Sequence, residues 1–95
     1  MSQTYGIESA KHQSTAKHQS VRYVIVIDTG GVAIARLFLE NRQQVDEFDA
    51  SVPEVVQMIS GVASARGALG TEWDAALRGH SASERKEAEV YTLEV

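Results

Sequence analysis

The hydrophobic pattern divides the chain near residue 20. Between Ala10 and Ser20 no side chain is larger and more apolar than alanine, whereas from Val21 the sequence runs Val-Arg-Tyr-Val-Ile-Val-Ile. A β-branched and aromatic run of this length predicts a strand. Asp28-Thr29-Gly30-Gly31 follows, and two glycines supply positive φ without a Cβ penalty, so a tight turn is expected. Residues 32–39 resume the apolar run as a second strand. A two-residue Gly30-Gly31 loop sets the register of this β-hairpin over residues 21–39. Thr29 then faces Val32, Ile27 faces Ile34, Ile25 faces Arg36 and Tyr23 faces Phe38, with Val26–Ala35 and Val24–Leu37 paired on the other side.

Both faces of the hairpin are apolar, which departs from the clean alternation of a sheet with one wetted side. Ala33, Ala35, Val24, Val26 and Leu37 make a face with small residues that would let a helix approach closely. Tyr23, Ile25, Ile27, Ile34 and Phe38 make a bulky face, broken by Arg36 and Glu40. Something is expected to cover that second face too: the second helix, a partner chain or a binding target. Those five bulky residues are therefore the expected interaction surface.

Downstream the period changes from two to three and four. Ser51-Val52-Pro53-Glu54 has the spacing of a capping box with proline in the first turn. Val52, Val55, Val56, Ile59, Val62 and Ala63 recur at helical steps, predicting a main helix over residues 52–66 that Gly67 and Gly70 end. Small residues at Gly61, Ala65 and Ala68 leave room for another helix or backbone, though ordinary surface accounts for them equally. Thr71-Glu72-Trp73-Asp74 starts a short second helix over residues 71–79, with Gly79 as its stop. Trp73 and Tyr91 read as core anchors. Residues 81–86 read as polar loop, residues 43–48 as either a short strand or a loop with one helical turn, and residues 89–95 as a terminal strand. The expected fold is α+β, a two-layer sandwich in which an antiparallel sheet of three to four strands packs on the two helices. In layout this order is similar to small antitoxin-like domains such as the HicB family. The Pro- and Gly-rich turn of that family is missing between Leu39 and Ser51, so the similarity carries no function.

Composition narrows the class. Ninety-five residues, 43% apolar and 23% charged with one proline, suit a single small globular domain. Ser9-Ala10-Lys11-His12-Gln13-Ser14 recurs at once as Thr15-Ala16-Lys17-His18-Gln19-Ser20, so residues 1–20 are expected to be a disordered, repeat-bearing tail on a domain spanning 21–95. The chain has no cysteine, which excludes disulfides, thiolate metal sites and cysteine nucleophiles. Its formal charge is −4, with 9 basic against 13 acidic side chains. That balance grips a phosphate backbone poorly, and the strand cations Arg22 and Arg36 lie on opposite faces, so no nucleic acid is expected. The longest apolar run, residues 23–27, is far short of a membrane span, and the first twenty residues hold no apolar signal core. A cytoplasmic protein with no membrane partner is the expectation.

Candidate chemistry is sparse. The string Val24-Ile25-Val26-Ile27-Asp28-Thr29-Gly30-Gly31 resembles the first phosphate-binding hairpin of the actin-like and sugar-kinase ATPases. The resemblance implies an aspartate attending a metal–phosphate cluster and glycine backbone near the phosphates; Val32 stands where that family usually has Thr or Ser. The same residues are also what any tight hairpin uses. His12 and His18 could hold a transition metal loosely, but a solvated tail reads better, and His80 is expected at a helix C-terminus. Asp46, Glu47, Asp49 and Glu54 read as a solvated acidic edge. No serine lies in a Gly-x-Ser-x-Gly elbow. No catalytic set, metal site or cofactor is expected. The leading expectation is a non-enzymatic protein–protein interaction module working with a protein partner or by self-association, a homodimer through the sheet being one form. The alternative is a small-ligand or phosphate-binding protein using Asp28, Thr29, Gly30 and Gly31 with Arg36 as counter-charge.

Overall fold

The computed structural model describes residues 18–94. Gly30 and Gly31 sit at φ +62° and +90°, the signature of a type I′ hairpin turn. Asp28 Oδ1 accepts the Gly31 N–H at 2.9 Å and closes it. Strands β1 (Tyr23–Thr29) and β2 (Val32–Phe38) leave that turn in the register the loop length dictates, from Thr29 opposite Val32 to Tyr23 opposite Phe38. Residues 43–48 resolve as a strand, β3 (Gln44–Asp49), antiparallel to β2 with an irregularity between Leu37 and Phe38.

The helices differ from expectation. The main helix, α1 (Pro53–Ile59), stops after two turns instead of reaching residue 66. The chain leaves helical geometry at Ser60, φ −62° and ψ 127°, and Gly61, at φ +77°, completes a turn in which Val62 N–H donates to Ile59 O; a strand follows, β4 (Ser64–Arg66). Nor does Ser51 cap α1. Its N–H and hydroxyl both donate to Asp49 Oδ1, at 2.9 and 2.6 Å, and Val52 occupies the cap position with no side-chain bond. The second helix shrinks to a 3-10 turn, Thr71–Trp73, continued by turns in which Leu77 N–H donates to Trp73 O. The expected loop is instead helical, α2 (Ala82–Glu87), opened by a reciprocal capping box between Ser81 and Glu84. The terminal strand, β5 (Glu89–Thr92), pairs antiparallel with β1 on one side and β4 on the other. The fold is thus α+β around one five-stranded antiparallel sheet, ordered β3-β2-β1-β5-β4, rather than three or four strands.

Both sheet faces are covered, which replaces the expected two layers. On the small face Val24, Ala35 and Leu37 pack with Val21 and with Val55 of α1. On the bulky face Ile25, Ile27 and Phe38 pack with Trp73, Leu77, Ala88 and Val90. Trp73 meets Tyr23 and Phe38 edge-on, at ring-centroid distances of 5.1 and 5.0 Å. Ile25, Ile27 and Phe38 are completely buried, and Tyr23 and Ile34 are half-buried. The bulky face is therefore interior, not the surface expected: the segment from Trp73 to Ala88 closes over it. Among the described residues the exposed large hydrophobics are Val32 and Val56, at 48% and 51%. No helix among these residues is long and apolar enough to cross a membrane. The repeat lies outside the described residues except for 18–20. His18 itself is docked on the body, its side chain 10% exposed against Phe48 and within 3.0 Å of Asp46 Oδ2.

Candidate functional site

Arg36 sits in the middle of β2, on the bulky side opposite Ile25. Where its neighbours enter the core, its guanidinium turns to polar partners. Nη1 donates to Glu47 Oε1 at 2.8 Å and Gln44 Oε1 at 3.2 Å, both on β3. Its Nε donates to His80 Nε2 at 3.0 Å. That leaves the His80 proton on Nδ1, which faces Glu84 Oε1 at 3.2 Å. A carboxylate-oriented imidazole is half of a general-base arrangement. Here its other nitrogen is already taken by Arg36, and the side chain is 5% exposed. The set works as a polar clasp tying β2 and β3 to the capping box of α2. It also corrects the placement of His80 at a helix C-terminus, since the residue follows a run of turns and precedes α2.

The turn at Asp28, Thr29, Gly30 and Gly31 does not share the Arg36 guanidinium with that clasp. Asp28 alternates onto the face opposite Arg36, so β2's guanidinium does not serve as its counter-charge. The groove beside Asp28 is lined by Val26, Ala33, Arg66, Ser83, Glu84, Glu87 and Glu89. Its one cation, Arg66, is paired with Glu89 at 3.2 Å and Glu87 at 3.7 Å. Four carboxylates around one engaged arginine disfavour an anionic phosphate by simple charge. Among the described residues no group of three or more His, Asp or Glu is placed to hold a metal.

With both faces filled, the two sheet edges remain. β3 is six residues long and bordered by Asp46, Glu47 and Asp49. Ala50 N–H bonds to Ala33 O at 2.9 Å, so by alternation the main chain of Phe48 turns inward and that of Glu47 outward. The outward Glu47 N–H is met by Asp46 Oδ1 at 2.9 Å. Asp46 also holds His18, whose Nδ1 lies 3.8 Å from Glu54. The Ser51 hydroxyl and N–H hold the Asp49 carboxyl below the usual aspartate range. Side-chain capping, an irregular register and charge are how sheet edges resist foreign strands.

β4 carries one charge, Arg66, and that side chain is directed to Glu87 and Glu89; among the described residues no side chain caps an outward amide, and the register is regular. Gly67 N–H bonds to Ala88 O at 3.4 Å and Ala65 faces Val90, so the main chains of Ala65 and Gly67 turn toward β5. Those of Ser64 and Arg66 turn outward. Residues 63–68 are exposed throughout and contain, apart from Arg66, nothing bulkier than serine. Sequence reasoning placed this segment in the main helix and so missed the edge; the signal was the Ser60-Gly61 pair, where a helix stripe meets a residue suited to leaving it. No family model, no curated protein and no solved structure matches this chain.

Proposed function

We propose that this protein is a non-enzymatic protein–protein interaction module that receives an extended strand from its partner along the edge of β4. The observation that carries this reading is the outward main chain of Ser64 and Arg66 in a wholly exposed stretch of small residues. Strand addition draws affinity from main-chain hydrogen bonds, and an open edge is the template it needs. The acidic β3 border is unsuited to the same role, and among the described residues no apolar sheet face is left to compete.

A proline at position 64 tests this directly. It removes an outward N–H and spares the inward bonds to β5, a place where strands tolerate proline. Random peptides displayed for selection against the immobilised protein should yield extended, β-prone binders that lose about tenfold or more in affinity for Ser64→Pro. Far-UV circular dichroism of the variant should be unchanged. Binders that ignore Ser64→Pro, or bound complexes in which the Ser64 and Arg66 amides still exchange freely with deuterium, would exclude the β4 edge as the receiving site.

A further inference from the structure

Resting on that reading, we infer that the strand received is β4 of a second copy, related by a two-fold axis through Ala65. The outward main chain of β4 is self-complementary about that residue. An axis through Ala65 places Ser64 opposite Arg66 of the second copy, and Arg66 opposite its Ser64. All four residues face outward, so each pair exchanges two N–H···O=C bonds, four in total. An axis through Ser64 or Arg66 leaves the other outward residue unpaired within the strand. An axis between residues sets an outward main chain against an inward one and forms no bonds.

Side chains agree with this register. Ala65 meets its own copy at the non-hydrogen-bonded position, where Cα atoms approach to about 4.5 Å and only methyl groups must fit. Arg66 faces a serine instead of another arginine, and keeps Glu89 and Glu87 as its ion-pair partners. The same operation on β3, with its axis through the inward Phe48, would set Glu47 opposite Asp49 of the second copy and Asp49 opposite its Glu47, a like-charge clash. The seam is small beside the roughly 1,200 Å² of a stable interface, so dissociation constants of roughly tens to hundreds of micromolar are expected. Each copy carries −4, so added salt should strengthen the pairing.

The absence of native cysteine makes the register measurable. Ala65→Cys brings two thiols within disulfide range across the axis. In a glutathione buffer it should form covalent dimers about tenfold faster than Val32→Cys, an exposed position at the hairpin. Sedimentation of the unmodified protein should show reversible dimers at several hundred micromolar, and Ser64→Pro should remain monomeric. Equal oxidation rates for the two cysteine variants, with a protein monomeric to about 500 µM, would overturn the self-pairing. Peptide binders sensitive to Ser64→Pro would then leave the β4 edge as a site for a different chain, whereas their absence would remove both readings.

Discussion

The two ends of the sheet are built on opposite principles. β3 is long, and it invests its acidic side chains in local bonds: Asp46 caps the Glu47 amide and holds His18, Glu47 holds Arg36, and Asp49 holds Ser51. β4 is three residues long, and its one charged side chain reaches back to Glu87 and Glu89 without shielding its own main chain. The contrast teaches that edge protection is a property of what the side chains do with the outward N–H groups. Strand length matters less: the longer edge here is the closed one.

The largest effect tests whether the two edges belong to one cooperative sheet. Leu77 is buried against Ile25, Ile27 and Phe38, between the edges. Leu77→Ala should cost about 3 kcal/mol in urea unfolding and loosen β3 and β4 amides together in hydrogen exchange. Loss of protection on one side alone would show that the edges open independently, and the comparison would then be between two units. Next in size is Asp46→Ala, which removes the partner of His18 and the cap on Glu47 at a carboxyl that is mostly buried. A loss of about 2 kcal/mol is expected, together with concentration-dependent aggregation absent from the parent protein. If stability falls but solubility does not, Asp46 is not what closes the β3 edge.

The smallest effect is a pH response. Because the Ser51 bonds depress the Asp49 pKa in the folded protein, they contribute stability that is present above about pH 4 and lost as pH falls through the depressed value. Ser51→Ala removes the hydroxyl bond and keeps the backbone N–H bond, so the Asp49 titration, followed by carboxyl-carbon NMR, should rise toward the ordinary aspartate range. An unchanged midpoint would mean that the Ser51–Asp49 bond does not persist in solution.

The hairpin was legible from sequence because a Gly-Gly turn fixes register by loop length, and no tertiary contact is needed to know that Tyr23 faces Phe38. Its two-sided apolarity was legible as well. What covers it stayed open among the second helix, a partner chain and a binding target. Trp73 and Leu77, in the segment read as that helix, do lie on it, but as a 3-10 turn and further turns, and the chain then closes on itself through to Ala88. The two Ser-x-x-Glu tetrads make the same point. Ser81 and Glu84 form the box. Ser51 cannot, because Asp49, two residues earlier, captures its hydroxyl, and Glu54 instead lies toward His18. Spacing names the candidates for a cap, while the nearest competing acceptor decides which is used. The β4 edge had no positive signal of its own, since Ser-Ala-Arg carries neither strand propensity nor alternation.

Arg42 occupies a left-handed conformation, φ +69°, with its guanidinium 5.2 Å from the Trp73 ring and 5.8 Å from that of Tyr23. The indole, the chain's only one, is thus roofed by a cation and walled by Tyr23 and Phe38. Its fluorescence is a built-in gauge of one layer alone: emission should shift when the lid over Ile25 and Phe38 lifts, and stay silent while α1 peels from the opposite side. Pairing that optical signal with circular dichroism would separate the two coats of the sheet without adding a label.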